Sequence, residues 1–177
     1  HGAAEVALAD PDPSRLAAAE ALGLTPVADD GGDAVWRWCT SRWRSGPQDA
    51  GADLVFQCRG QDAALATALR ALRPQGTVVD LAFYQGGAPA VRLGEEFHHK
   101  GLTVRCAQIA RVPRGMAPAW DRARLQRETA ALLTEHGRLV RDAVVSDVVP
   151  FDHAPALLVD LAARRRSVLS AVFTVGT

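Results

Sequence analysis

The 177-residue sequence predicts an α/β protein built on a doubly wound parallel sheet. Three observations carry that expectation. Short apolar runs alternate with helix-patterned stretches of about ten to fifteen residues. Residues Thr77–Phe83 (TVVDLAF) are almost continuously apolar, as suits a strand covered on both faces by helices. Glycine and proline punctuate the segments, at Gly23, at Gly60 and in the RPQG turn at 73–76.

Taken in order, Glu5–Ala9 is a short strand ending on Asp10, and PDPSRLAAAEALG places Leu16, Ala19, Ala21 and Leu22 at helical spacing before Gly23 stops the helix. Asp12 and Ser14 are both candidate N-caps, and Pro13 costs nothing at a first helical position whose amide has no partner to lose. Thr25–Ala28 is a short strand, and Asp33–Arg44, with Trp36, Trp38 and Trp43, reads as an amphipathic helix whose tryptophans face the core or else an interface. Leu54–Cys58 is the next strand. Asp62–Leu72 is a helix with Ala64, Leu65, Ala68, Leu69 and Leu72 on one face, and Thr77–Phe83 follows as a strand. Leu102–Ile109 is a further strand, and a helix from Asp121 to Glu135 is ended by Gly137. The tail is expected to contain a strand at Val144–Val149, a helix at His153–Ala163 and a strand at Val168–Val175, with a boundary near Arg141.

Composition excludes several classes. Lys+Arg and Asp+Glu each number 20, so no broad basic field exists for nucleic acid, although all but one of the basic residues are Arg. The apolar runs are far shorter than the ~20 residues a membrane helix needs. Cys39, Cys58 and Cys106 lie far apart without a CxxC pair, which suits reduced thiols in a cytoplasmic setting, each read as a small buried hydrophobe. The chain opens on His-Gly-Ala-Ala without Met or signal peptide and reads as the interior of a longer protein.

In an open parallel sheet, ligands bind beyond the carboxyl ends of the strands. Asp10 stands there. Its carboxylate has two readings: acceptor for the ribose hydroxyls of a dinucleotide, which would repel an NADP 2′-phosphate and favour NAD, or turn former before Pro11. Arg15, one turn into the next helix, either faces the same ribose or is solvated. The glycine-rich phosphate loop expected about 20 residues before such an acid is not among these residues, so the segment alone should bind dinucleotide poorly. His98 and His99 are adjacent, and adjacent residues on a strand point to opposite faces and make a poor metal pair, while His136 and His153 are isolated.

Five ordered segments, AAEVALADPDPSRLAAAEALG, GADLVFQCRG, ALRALRPQGTVVDLAFYQGG, RLGEEFHHKGLTVRCAQI and DVVPFDHAPALLVDLA, together resemble the later half of a medium-chain, alcohol-dehydrogenase-like dehydrogenase/reductase. The resemblance implies a Rossmann-like domain at 1–141 without its first strand, and a segment at 142–177 that returns to a catalytic domain. It implies NAD rather than NADP as cofactor and a small alcohol or carbonyl substrate, with zinc possible only through a domain outside this chain. Position by position, Asp10 matches the ribose-binding acid and Arg15 a basic residue beside it. Cys58, Arg59 and Gly60 match the turn beside the adenosine or nicotinamide ribose. Leu81, Ala82 and Phe83 match the strand end whose backbone binds the nicotinamide carboxamide. Arg59 is bulkier than the residue usual there, leaving open whether it meets cofactor or points outward. Leu169 stands where some relatives carry a basic residue toward the pyrophosphate. Asp80 replaces an aliphatic residue and, if buried, needs a partner. Catalytic residues are expected outside the chain.

The strand Leu102–Ile109 resembles the sheet edge through which this family forms homodimers, and an exposed apolar edge invites such pairing. The leading expectation is therefore the cofactor-binding half of a hydride-transferring oxidoreductase. Two alternatives stand beside it: a dinucleotide-binding module without chemistry, and, with less support from the tail, a SAM-dependent methyltransferase.

Overall fold

The computed structural model describes residues 2–109 and 111–176 and divides them into two compact units, residues 27–111 and residues 1–26 with 112–177. The expected alternation of strands and helices is present, distributed over four small sheets.

The 27–111 unit begins within β2 (Thr25–Ala28), followed by α2 (Ala34–Arg42). Next comes an antiparallel pair that periodicity did not reveal, β3 (Arg44–Gly46) with β4 (Asp49–Ala50). These strands are too short and polar to show a period-two pattern, so the expected helix ends two residues early. β5 (Ala52–Gln57), α3 (Asp62–Ala71) and β6 (Leu72–Asp80) form a parallel β-α-β unit, and β7 (Thr103–Cys106) adds a third parallel strand beside β6. The RPQG turn is absorbed into the start of β6, where Gln75 takes a φ of 63° and the β5–β6 register shifts.

Parallel register places Val55, Val78 and Val104 in one cross-strand row, with Gln57, Asp80 and Cys106 in a second row on the same face. Leu72 and Val78 are fully buried in a core shared with Ala52, Leu65, Ala68, Leu69 and Leu102. Each such large side chain contributes about 2–3 kcal/mol of apolar burial. Leu54 and Phe56, on the other face, remain 47% and 62% exposed, so only one face of β5 is packed within this unit. Gly51 allows the tight approach of chain at the start of β5: at φ 126° a Cβ would lie 2.6 Å from the Ala71 oxygen and the Arg73 nitrogen. Below it the Lys100 ammonium donates to the Arg70 and Leu72 carbonyls at the end of α3, at 2.8 and 2.7 Å.

The strand expected at Leu102–Ile109 is shorter than predicted: pairing ends at Cys106, and Ile109 is fully exposed. His98 and His99 belong to a helical turn continuing the kinked segment Leu93–Phe97, not to a strand, and their rings meet edge-on at 5.8 Å.

In the other unit, β1 (Ala7–Asp10) leads into α1 (Pro13–Ala21), with β2 hydrogen-bonded to β1. Asp12 is the N-cap that forms, accepting from the Ser14 amide at 2.8 Å and the Ser14 hydroxyl at 2.7 Å. α4 (Arg122–Val144) is capped by Asp121, whose carboxylate accepts from the Arg124 amide, and it runs through Gly137. A lone glycine costs only about 1 kcal/mol relative to alanine, too little to stop a helix flanked by Arg138, Leu139 and Arg141. The following strand is displaced accordingly. β8 (Asp147–Pro150), α5 (Ala154–Ala162) and β9 (Ala171–Thr174) form another parallel β-α-β unit. The boundary expected at residue 141 falls inside α4.

Candidate functional site

Parallel strands deliver their carboxyl ends to one edge, which brings the two turns Cys58–Gly60 and Leu81–Tyr84 together beyond β5 and β6. The ladder extends one bond past the strands, with the Leu81 amide donating to the Gln57 carbonyl at 2.9 Å. Beyond that point side chains hold the turns. Gln57, only 5% exposed, is the buried polar residue among those described. Its Oε1 accepts from the Arg59 amide at 2.9 Å, while its Nε2 donates to the Arg59 carbonyl at 2.5 Å and to the Tyr84 hydroxyl at 2.8 Å.

The Tyr84 hydroxyl in turn donates to Asp80 Oδ1 at 2.9 Å, and the Ala82 amide donates to the same oxygen at 3.2 Å. Asp80 thus has the partners that its place in an apolar strand demanded. Burial, together with the Asp80 carboxylate, pushes the Tyr84 phenol above its ordinary pKa of 10.0, so it keeps its proton at neutral pH. Gly60 completes the junction: a Cβ there would stand 3.0 Å from the Phe83 carbonyl oxygen. An open pocket of about 310 Å³ lies beside the junction, lined by Gly60, Gln61, Asp62, Tyr84, Gln85 and Gly86 among others.

The sequence-selected residues of this edge are placed as follows. Cys58 is exposed, Leu81 and Phe83 are 52% and 79% exposed, and Ala82 is half-buried. Arg59 directs its guanidinium to Asp29, 3.8 Å away in the segment after β2. Cys106, like Cys58, is exposed, which corrects the reading of all three cysteines as buried hydrophobes. Cys39 alone fits it, and burial pushes its thiol up to about 11. Spacing did not reveal Gln57 or Tyr84 as partners, because 27 residues separate them. The available signal was Asp80, a carboxylate inside an apolar strand.

In the other unit, Asp10 closes β1 with its side chain 21% exposed. Oδ1 accepts from the Asp12 amide at 2.9 Å, the geometry of an Asx turn, and Oδ2 faces the Arg15 guanidinium at 3.3 Å. Each carboxylate oxygen retains a further acceptor position. Leu169 lines a small-residue groove with Ser14, Ala17, Ala18 and Ser146, and its amide donates to the Ser146 hydroxyl at 3.1 Å.

Among the described residues, no group of three or more His, Cys, Asp or Glu side chains is arranged to hold a metal ion, so the donors present do not fit zinc. No described helix is long and apolar enough to cross a membrane.

Comparison with known proteins agrees with this architecture. The chain is 30% identical over 132 residues to D-guloside 3-dehydrogenase of Escherichia coli (strain K12), a match covering 75% of this chain and 35% of that protein. It superimposes on an alcohol dehydrogenase from Thermus sp. ATN1 with a TM-score of 0.67 and 25% identity, over 99% of this chain and 46% of that one. An alcohol dehydrogenase from Thermotoga maritima gives a TM-score of 0.76 over 99% of this chain and 44% of that one, and at 17% identity it speaks for the fold alone. The chain therefore spans between a third and a half of the length of these proteins. Residues 1–124 match the family model described as zinc-binding dehydrogenase, and with this fold and these relatives the chain belongs to that dehydrogenase family.

Proposed function

We propose that this chain is the cofactor-binding half of a nicotinamide-dependent dehydrogenase acting on a small alcohol or carbonyl compound. Asp10 carries the reading. It is a partly shielded carboxylate at the end of a strand that leads into a helix, with free acceptor positions for a vicinal diol. When bound, the nicotinamide would accept or donate a hydride. The chain's own part is to bind and orient. Asp10 accepts from the adenosine ribose hydroxyls, Arg15 balances its charge, and Arg59 with Cys58 borders the cofactor turn. The backbone of Leu81, Ala82 and Phe83 meets the nicotinamide end. The negative charge of Asp10 disfavours a 2′-phosphate, which favours NAD over NADP.

The same family membership supports the remaining parts of the reading. Residues 1–141 would serve as the nucleotide-binding domain and 142–177 as a return into a catalytic domain. β7, the last strand of its sheet, with Val104 41% exposed, would be the edge that pairs in a homodimer. The substrate-activating groups, zinc among them if it is used, would come from outside these residues. The cysteine pattern suits a cytoplasmic enzyme.

Asp10→Ala in the full-length polypeptide tests the cofactor reading. Titration with NAD⁺ and NADP⁺ is expected to show NAD⁺ affinity reduced about tenfold, the order of one or two lost hydrogen bonds, and discrimination against NADP⁺ relaxed. Unchanged affinities for both would remove Asp10 as a ribose ligand.

A further inference from the structure

The chain Gln57–Tyr84–Asp80 has a fixed direction. An amide Nε2 can only donate and a carboxylate can only accept, so the phenol between them must accept from Gln57 and donate to Asp80. Gln57 is already committed on its other contacts, both of them to the Arg59 backbone, so it is a rigid anchor. Asp80 Oδ1 is likewise shared with the Ala82 amide. A displacement of Tyr84 would therefore be felt at two backbone points, one in each turn beyond the strands. Among the described residues, neither the β5–β6 ladder nor α3 supplies a bond between those turns past Leu81. The two turns also run close together at Gly60, where a Cβ would stand 3.0 Å from the Phe83 oxygen.

We propose that Tyr84 is a positioning residue for the nicotinamide end of the cofactor: bridging Gln57 and Asp80, it holds the Leu81–Phe83 backbone in place against the Cys58–Gly60 turn. This rests on the dinucleotide reading above and adds to it a residue that touches the cofactor through nothing but that backbone. Tyr84→Phe keeps the ring in the core, where it packs against the buried cluster, and deletes the hydroxyl.

The test is titration of the full-length polypeptide with two probes, NADH and ADP-ribose, the second of which lacks the nicotinamide. In Tyr84→Phe, NADH affinity is expected to fall about tenfold, the order of a lost hydrogen bond, while ADP-ribose affinity stays within about twofold. Asp80→Asn keeps a carbonyl oxygen able to accept from the phenol and the Ala82 amide, and should bind NADH within about twofold of the parent. Asp80→Leu should reproduce the tenfold loss, and if Tyr84→Phe fails to fold the two Asp80 variants decide alone. Equal weakening of both probes would make the network a general structural element and overturn the proposal. Unchanged NADH affinity in Tyr84→Phe and Asp80→Leu would overturn it while leaving the dinucleotide reading intact. A parent protein that binds neither probe would overturn both.

Discussion

Arg70 joins Asp33 and Trp36 of the α2 region to Glu96: its Nη1 lies 2.6 Å from Asp33 Oδ1, its Nε 3.5 Å from Glu96 Oε1, and its guanidinium carbon 5.0 Å from the Trp36 ring. The hydrogen bond from Arg70, with added attraction from Arg70 and Arg37, holds the Asp33 carboxyl below its ordinary 3.8. A carboxyl lowered in the folded state contributes stability above its unfolded pKa and loses it as pH falls through the folded value. The urea midpoint of the parent should therefore exceed that of Arg70→Gln by a constant margin above about pH 5, with the margin shrinking below about pH 4. A margin independent of pH down to 2 would show that the pair is not what separates the two proteins.

Gly60 sits tightly against the opposite turn. Gly60→Ala places a Cβ 3.0 Å from the Phe83 oxygen, whereas a Cβ at Gly86 meets nothing within 4 Å. Gly60→Ala should lower the thermal midpoint by roughly 2–4 °C, the equivalent of about 1 kcal/mol in a chain of this size, and Gly86→Ala should leave it in place. Scanning calorimetry of the two variants makes the comparison.

Lys100 closes the end of α3 from a distant part of the chain, and its ammonium is half-withdrawn from water. Lys100→Met keeps the stem and removes both hydrogen bonds, leaving the Arg70 and Leu72 carbonyls without this donor. The expected loss is about 1–3 kcal/mol in urea unfolding. A loss below about 0.5 kcal/mol would mean that solvent replaces the ammonium at no cost.

The three cysteines should separate by reactivity. Cys58 and Cys106 are exposed, while Cys39 is buried in α2 with its thiol near 11. An aromatic disulfide reagent at pH 8 is expected to titrate two thiols promptly, and the third only on unfolding. Prompt release of three would place Cys39 at the surface.

Much of this molecule could be read from its residues. Alternation of apolar runs with helical stretches located each long element, and the Asp10 strand end follows from local chemistry, which left Asp12 and Ser14 both open as the cap of α1. What escaped had no local signature. The β3–β4 pair is five residues of polar chain whose partners are set by tertiary closure. Gly137 looked like a stop because glycine ends many helices, yet the residues on both sides favour continuation. Asp80 announced that something must pair with it; that the partner is Tyr84, and that Gln57 stands behind both, depends on how two strand ends meet in space.

The polarity of the β5–β6–β7 sheet separates two kinds of burden. Gln57, Asp80 and Tyr84 work at the carboxyl edge, while Gly51, Leu72 and Lys100 close the amino edge, about 17 Å away along the five residue steps of β5. Sites so separated, with no shared partner, act additively. Substitutions at the carboxyl edge, Asp80 or Arg59 among them, are therefore expected to leave the amino-edge seam closed, and changes in that seam to leave the carboxyl-edge network in place. The two ends of this sheet are therefore open to change one at a time.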